Sequence, residues 1–398
     1  MKFIFISVFV LLAIYSLYKL KTNIVYSFPL FYIFSFLYTY LGANYFEYAY
    51  MVPFHDQIGY EIDFKIVGFA YLLCVLGFIS GIKFGEYKYS FGQSCQVVPQ
   101  NNSLKINLKI NEYMIYTLSL LTIIIGFFAY DFSQLISRSS YIIDRNNQLV
   151  IVHKFFLIAT SFLVVFIKNR IFRIIIFLSI LVVPFSLNSR ILSLCIFIFY
   201  LGIYVKNGFN LKLKHTLSLI ILLISSFLIT LEFRSQELQG LIPNIDSLFN
   251  FNLDQEVFWN SINYVTSYSV FATQYAIDNN YSDIKSFFIS INPLPSSFLD
   301  IDYVIDNSKI NAFSPVPALA MSYNSSPFIT IIYYFFCGFI FSYILRNLKA
   351  SKFYFLALCL FFLFVFTSSQ YMIRECTRLI YYLIIIYVVR FLYIKVKW

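Results

Sequence analysis

The chain has 398 residues, of which 60% are hydrophobic and only 12% are charged, and its mean hydropathy is +0.75. Soluble domains carry about a quarter charged residues, so this composition excludes a cytosolic enzyme, a secreted disulfide scaffold, a coiled coil and a disordered chain. The net charge of +10 is typical of the Lys and Arg excess on one face of a membrane protein. We therefore expect membrane lipids, and no nucleic acid, as partners.

Long apolar stretches recur along the chain and are separated by polar segments. A helix needs roughly 17–25 apolar residues to cross a bilayer. The sequence therefore predicts an all-α polytopic membrane protein with about 11 (10–12) transmembrane helices. The first stretch lacks a small-residue cleavage site, which predicts an uncleaved anchor. The predicted spans are 3–18, 24–46, 66–85, 113–130, 149–167, 171–188, 191–205, 216–231, 327–345, 353–372 and 379–394.

The loops between these stretches alternate in charge. One set contains 18 Lys and Arg residues and only two acids, Glu86 and Glu112. The opposite set contains 11 Lys and Arg residues and 17 acids. Because the Lys and Arg excess marks cytoplasmic loops, the basic set and the C-terminus are predicted to be cytoplasmic. The N-terminus and the acidic set are predicted to lie on the outer face.

One outer loop, residues 232–326, is far longer than a connector needs to be, and such loops are usually functional. It divides the chain into 1–231 with spans 1–8, the loop itself, and 327–398 with spans 9–11 and the cytoplasmic C-terminus. Apolar residues at helical spacing predict an amphipathic helix over 254–277, with Asp254 as its cap. Dense prolines further along predict turns. We expect a loop with amphipathic helices that folds back over the outer membrane surface.

Several catalytic signatures are absent from the sequence. It contains no phosphate-binding loop, no G-x-S-x-G nucleophile elbow, no H-E-x-x-H metal helix and no C-x-x-C pair. The three histidines, His55, His153 and His215, lie away from the middle of any predicted span. The spans also lack charged residues in their centres, where ion-coupled transporters place them. We expect no cofactor and no bound metal.

The predicted outer face carries several arginines, although Lys and Arg are normally depleted on the side opposite the cytoplasm. The guanidinium group matches phosphate oxygens in a bidentate fork and stays charged when it is partly desolvated. Arginines at the outer membrane interface are therefore suited to bind a lipid-linked pyrophosphate. The alternative for each of them is a structural role, in which the side chain extends to the interface and pairs with an acid of the outer face. The six outer arginines are Arg138, Arg145, Arg190, Arg234, Arg374 and Arg378.

We predict separate roles for these side chains. Arg190, in a very short turn, and Arg234, just beyond span 8, are predicted to hold the pyrophosphate. Glu237 is the candidate base or sugar-orienting carboxylate beside them, with Glu232, Asp131 and Asp144 as further candidates. The predicted substrate contacts are Arg138, Arg145, His153, Arg374 and Arg378.

Short segments carry a resemblance to a known family. They are the outer turn Asn188-Ser189-Arg190, the tripeptide Glu232-Phe233-Arg234, and the tracts Asn292-Pro293-Leu294-Pro295 and Asn311-Ala312-Phe313-Ser314-Pro315. With eleven spans and a dominant late outer loop, the chain resembles the Wzy-type O-antigen polymerases (oligosaccharide repeat unit polymerases). It is more distantly similar to the O-antigen ligases, whose histidine in the long loop has no counterpart in 232–326.

The resemblance implies a metal-independent glycosyltransferase of the bacterial inner membrane with a periplasmic active face. It would act in lipopolysaccharide biosynthesis and transfer a growing glycan from undecaprenyl pyrophosphate to a lipid-linked repeat unit. Donor and acceptor would thus both be undecaprenyl-pyrophosphate-linked oligosaccharides. A chain-length regulator is a further implied partner.

Three alternatives remain open. A metal-dependent family-C glycosyltransferase, which uses a polyprenyl-phosphate sugar, would hold its metal with Glu61 and Asp63 or with the similar pair Asp300 and Asp302. A lipid-linked oligosaccharide flippase would need a polar cavity midway through the spans. An O-acyltransferase would need a membrane-embedded histidine.

Overall fold

The computed structural model describes residues 2–43, 63, 65–92, 111–140, 143–189, 191–207, 213–250, 255–311, 314–349, 351 and 353–396. Helices account for most of these residues, and the regular sheet structure is one short hairpin. The helices are α1 (Lys2–Leu20), α2 (Ser27–Leu41), α3 (Ile66–Gly92), α4 (Glu112–Ala129), α5 (Phe132–Ile136), α6 (Asn147–Leu163), α7 (Arg170–Ser186), α8 (Ile191–Lys206), α9 (Leu213–Ser235), α10 (Leu241–Phe249), α11 (Gln255–Asp278), α12 (Ile284–Ser290), α13 (Ile301–Asn307), α14 (Ala318–Ser325), α15 (Pro327–Leu348), α16 (Tyr354–Gln370) and α17 (Ile373–Val396).

Short elements connect several of these helices. The hairpin pairs β1 (Lys309–Asn311) with β2 (Ser314–Pro315) in antiparallel fashion. The 3-10 helices are Ile24–Tyr26, Val164–Phe166 and Ser296–Phe298.

The helices confirm the all-α membrane class. All eleven predicted apolar stretches lie largely within helical segments. Five helical segments of the described chain are long and apolar enough to cross a membrane: Ile24–Leu41, Ile66–Lys88, Glu112–Ala129, Asn147–Phe166 and Pro327–Leu348. Three further apolar helices are shorter, Ile6–Leu20, Ile191–Lys206 and Tyr354–Gln370. The number of crossings stays a prediction.

Asparagines determine where three consecutive long helices begin. Asn111 precedes α4, Asn146 precedes α6 and Asn169 precedes α7, each with an extended backbone. Each side-chain oxygen accepts a hydrogen bond from an amide of the first turn, at 3.0, 3.1 and 2.9 Å respectively. The first amides of a helix have no partner within the helix, so these caps fix its start at the polar boundary of the apolar stretch.

The chain forms two compact units. Unit 1 contains Met1–Gln100 and Ile262–Trp398, and unit 2 contains Asn101–Ser261. The large outer loop predicted from the sequence is thus shared between them, because its first part folds with unit 2 and the rest with unit 1.

Unit 1 is built around direct backbone contact between α3 and α15. Gly77, Gly81 and Gly85 recur every four residues and share one face of α3. A Cβ atom at Gly81 would lie only 2.0 Å from the carbonyl oxygen of Phe335 on α15. A Cβ atom at Gly338 would likewise lie 2.2 Å from a carbonyl oxygen of α3. Only glycine lets the two backbones come this close. Small residues at helix contacts are typical of membrane proteins, because lipid supplies no hydrophobic driving force between helices.

The order of the contacts shows that α3 and α15 are parallel. The contacting pairs are Gly77 with Ile331, Gly81 with Phe335 and Gly85 with Phe339. Residue numbers thus rise together along both helices, and both C-terminal ends lie at the same end of unit 1. There, Nη2 of Arg346 lies 2.6 Å from Oε1 of Glu86, which also accepts a hydrogen bond of 3.0 Å from Asn23. Three loops of the basic set therefore meet at one end of this unit.

Helix α11 corrects the expectation of a one-sided amphipathic helix on the membrane surface. Its described side chains from 266 to 274 are all buried, polar residues included. The carbonyl oxygen of Thr266 accepts a hydrogen bond from Ser35 of α2, and Ser269 is 2.7 Å from the hydroxyl of Tyr71 on α3. Hydroxyl groups on the apolar helices thus bond Thr266 and Ser269, and α11 is buried on all sides between residues 266 and 274. Its predicted cap, Asp254, lies outside the described residues.

Unit 2 packs α4 against α6 and α7, and α8 against α6 and α9. Its largest apolar core includes Ile115, Leu157, Ile180 and Cys195. The basic residues of this unit also meet at one end, where the side chains of Arg173 and Lys206 both donate to the carbonyl oxygen of Val165.

We predict that Gly81→Ala destabilises unit 1, because the added methyl group forces apart two helices whose backbones touch. Overpacking of this kind costs about 1–3 kcal/mol. The measurement is thermal unfolding of the detergent-purified chain, followed by loss of its gel-filtration peak. Ser80→Ala, at an exposed position of the same helix, is the matched control. Equal unfolding temperatures for both variants would contradict the packing described.

Candidate functional site

The turn between α7 and α8 is held in an unusual backbone conformation. Asn188 has φ = 51°, in the left-handed region that asparagine tolerates better than most residues. The amide of Ser189 donates to the carbonyl oxygen of Pro184 at 3.1 Å, and the amide of Leu187 to that of Val183 at 3.0 Å. These bonds close the C-terminus of α7 and fix the direction of the turn.

The buried side chain of Asn188 connects this turn to the end of α9 and to the segment that follows it. Its amide nitrogen donates to the carbonyl oxygen of Phe233 at 3.1 Å and to Oε1 of Gln239 at 3.4 Å. Its side-chain oxygen accepts a hydrogen bond of 2.7 Å from Asn244 on α10. Both N–H groups of the side-chain amide and its oxygen thus have defined partners. The turn is therefore rigid.

Two of the predicted arginines converge on this turn. Nε of Arg234 donates to the carbonyl oxygen of Asn188 at 2.9 Å. Nη1 of Arg138, from the segment after α5, donates to the carbonyl oxygen of Ser186 at 3.0 Å, and this side chain is only 6% exposed. We call the residues Arg138, Ser186, Asn188, Arg234, Gln239 and Asn244 the turn network.

Glycine makes the approach of these segments possible. The backbones of Arg138 and Gln239 form an antiparallel bridge, with both amide-to-carbonyl distances at 2.8 Å. The next residue, Gly240, has φ = 126°, and a Cβ atom there would lie 2.6 Å from the carbonyl oxygen of Ile136. The positive φ and the close contact both exclude any residue that has a Cβ atom. Gly240 thus allows α10 to begin directly against α5.

The other predicted residues of unit 2 occupy different surroundings. Arg190 directly follows Ser189 in the sequence but lies outside the described residues. Glu237 is exposed in the turn before α10, whereas Glu232 is 8% exposed. Arg145 is also exposed, and its backbone pairs with Tyr130 across a closed loop. Roles in catalysis or substrate contact for these residues stay predictions.

Two predicted outer acids organise the loop that precedes Arg145. Asp131 accepts hydrogen bonds from the hydroxyl of Ser133 at 2.5 Å and from the amide of Gln134 at 3.2 Å. These two bonds lower the pKa of Asp131 from its usual range. Asp144 accepts a bond of 3.0 Å from the side chain of Gln134. Both carboxylates thus have structural partners in this loop.

His153 is placed within the helix packing. It is 2% exposed and lies on α6 against α4, where a Cβ atom at Gly126 would be 2.8 Å from its Nε2. The ring of Tyr130 packs edge-on against the imidazole at 6.2 Å. Nε2 has no hydrogen-bond partner among the described residues. The contact of this histidine with a substrate stays a prediction.

In unit 1, Arg374 holds the proline-rich loop that the sequence singled out. Its Nη1 donates to the carbonyl oxygens of Ile289 and Asn292 at 3.2 and 3.3 Å, and its Nη2 to that of Leu294 at 3.0 Å. The side chain is 7% exposed. Arg378 donates to the hydroxyl of Ser296 at 3.1 Å. Arg374 thus orders the end of α12, which is a structural task alongside its predicted contact with substrate.

The predicted metal pairs also have structural partners. Asp63 accepts a hydrogen bond of 2.8 Å from the amide of Lys65 just before α3, and Asp300 caps α13 through the amide of Tyr303 at 3.4 Å. Glu61 lies outside the described residues. No group of three or more His, Cys, Asp or Glu side chains that is arranged to hold a metal ion occurs in the described part of the chain.

Comparisons with known proteins return no relative. No family model, no curated protein and no solved structure matches this chain.

The site includes residues that the sequence reasoning did not select. Ser186, Gln239 and Asn244 carry no motif, and each contributes because the fold brings it to the turn. The sequence feature that could identify them is their polar character at or near the ends of apolar helices.

We predict that Asn188→Ala destabilises unit 2 more than Asn188→Gly does. Both variants lose the side-chain hydrogen bonds and leave buried groups unsatisfied, at about 1–3 kcal/mol each. Alanine also carries a backbone cost of about 1 kcal/mol at positive φ, which glycine avoids. Thermal unfolding measures the difference, and Asn250→Ala, at the exposed end of α10, serves as control. The reverse order of the two variants would contradict the conformation of this turn.

Proposed function

We propose that this chain is a polysaccharide polymerase of the bacterial inner membrane. It would transfer a growing glycan from undecaprenyl pyrophosphate to a lipid-linked repeat unit on the periplasmic face. One observation carries the proposal: Arg138 and Arg234, from segments far apart in the sequence, are both anchored on the turn that immediately precedes Arg190. Two cationic residues of the outer set thus bond the stretch of backbone that a third, Arg190, directly follows in the sequence.

The chemistry of the transfer explains why such an arrangement is useful. A hydroxyl of the acceptor sugar attacks the anomeric carbon of the donor glycan, and the bond from that carbon to the pyrophosphate oxygen breaks. The pyrophosphate departs with the bonding electron pair, so negative charge grows on its oxygen. Fixed guanidinium groups stabilise that charge without reorganising at the moment of reaction. In this proposal Arg190 and Arg234 hold the pyrophosphate.

The acceptor hydroxyl must also lose a proton. Glu237 is the base in this proposal, because it is an exposed carboxylate only three residues after Arg234. Arg145, His153, Arg374 and Arg378 are assigned to contacts with the lipid headgroup or the sugar chain. The basic and acidic loops support the orientation, because in each unit basic residues gather at one end.

All eleven apolar helices cross the membrane in this proposal, including α7, α9 and α17. The parallel arrangement of α3 and α15 supports it, because the alternation of loops requires both to run towards the basic face. The long loop would then lie on the periplasmic side with its proline-rich part held by Arg374.

The alternatives receive less support from the described residues. The carboxylates Asp63 and Asp300, which the metal-dependent glycosyltransferase would need, already bond backbone amides. The flippase requires a polar cavity among the spans. Some hydroxyl groups buried in unit 1 bond to one another, such as Tyr32 with Ser368 at 3.0 Å and Tyr71 with Ser269 at 2.7 Å.

We predict that Arg234→Lys and Arg190→Ala each shorten the surface polysaccharide to a single repeat unit. Loss of one donor to a developing oxyanion costs roughly 10²–10³-fold in rate, and lysine cannot reproduce the arginine fork. The readout is the ladder on a gel of surface polysaccharide from a deletion strain that carries each variant. Arg170→Lys, at the exposed basic end of unit 2, is the matched control.

Membrane levels of each variant are measured alongside the ladder. A full-length ladder from both Arg234→Lys and Arg190→Ala would overturn the pyrophosphate contacts. Loss of all surface sugar, with lipid-linked units accumulating in the cytoplasmic leaflet, would assign the chain to the flippases instead.

A further inference from the structure

A cavity at the basic end of unit 1 has no part in the proposed transfer. Its volume is about 510 Å³, within the range of roughly 300–1,000 Å³ that is typical of sites for small ligands. It opens between the α1–α2 connection, the end of α15 and the start of α16. Its walls are formed by Thr22, Asn23, Ile24, Leu345, Arg346 and Lys349, together with the ring of Tyr354.

The depth of the cavity follows from the helices that form it. Helix α1 ends at Leu20, and the apolar segment that includes α2 begins at Ile24. Helix α15 ends at Leu348, and α16 begins at Tyr354. Every wall is therefore the end of an apolar helix, and the cavity lies at the level where hydrocarbon gives way to lipid headgroups. A tyrosine at its rim is typical of that level.

The charges around the cavity favour an anion. Glu86, a carboxylate beside the cavity, accepts bonds from both Arg346 at 2.6 Å and Asn23 at 3.0 Å, so its charge is already compensated. The exposed ammonium group of Lys349 makes no ion pair with any described residue. Lys19 and Lys21 lie in and beside the same connection. The local balance is thus positive at the mouth of the cavity.

We propose that this cavity binds the phosphate group of an anionic ligand, with the ammonium group of Lys349 as its cationic contact and the guanidinium group of Arg346, which is paired with Glu86, as a hydrogen-bonding wall. A phosphodiester of a lipid headgroup and free inorganic phosphate share this chemistry. Asn23 fixes the wall, because its side chain bonds Glu86 on α3 and Ser342 on α15 at 3.0 and 3.2 Å. The site is therefore built by the same helix pair that frames unit 1, at the basic end of that unit.

The test measures binding of dioctanoyl phosphatidylglycerol to the purified full-length chain by native mass spectrometry in a neutral detergent. Lys349→Gln removes one charge at an exposed position and should raise the dissociation constant about fivefold, since each basic residue near a phosphate contributes at that scale. Lys88→Gln makes the same change on the basic side away from the cavity walls and should leave the constant unchanged. Equal unfolding temperatures verify that both variants are folded.

The competitor identifies the source of the phosphate. If 10-fold excess inorganic phosphate over the lipid displaces it from the wild-type chain, the site takes free phosphate; if the lipid remains bound, the site takes the headgroup. Two results would overturn the proposal. One is equal affinity of the wild-type chain and Lys349→Gln, and the other is equal retention of dioctanoylglycerol, which has the same acyl chains but no phosphate group.

Discussion

Close contact between the backbones of α3 and α15 is the constraint on which unit 1 depends. Glycines at every fourth position let the helices touch, and the parallel direction that results brings the ends of both to the same side. The pairing of Glu86 with Arg346 closes that side. With this frame in place, α11 is buried against α2 and α3 through hydroxyl contacts, and a cavity remains where the chain connections meet. A bulkier residue at the glycine positions between α3 and α15 would disturb all of these features together.

Unit 2 uses a different device, a rigid polar turn. Asn188 adopts a left-handed conformation and bonds three other segments, so the turn does not depend on apolar packing. Arginines that donate to its carbonyl oxygens are held in place before any substrate arrives. Fixed cationic groups in a partly desolvated site are what the departure of a pyrophosphate requires. Rigidity and charge thus serve the same proposed chemistry.

The sequence predicted those features that depend on local pattern. Apolar length predicted all eleven helical stretches, whereas the asparagine caps before α4, α6 and α7 became evident only in the structure. Burial of α11 was not predictable, because its serines and threonines look solvent-exposed until Tyr71 and Ser35 provide partners. Arg234 was selected from its position beside an apolar stretch, whereas Gln239 and Asn244 matter only through contacts between distant segments. The glycine spacing in α3 was visible, but its partner helix was not.

The proposed polymerase activity is tested most directly with the purified chain in liposomes that contain only undecaprenyl-pyrophosphate-linked repeat units. We predict longer lipid-linked glycans without nucleotide sugars, release of undecaprenyl pyrophosphate, and undiminished activity in EDTA. We also predict that Arg234→Lys makes few or no extensions while Arg170→Lys behaves as the wild-type chain. Absence of longer glycans from folded, correctly oriented wild-type protein, or activity abolished by EDTA, would contradict a metal-independent polymerase.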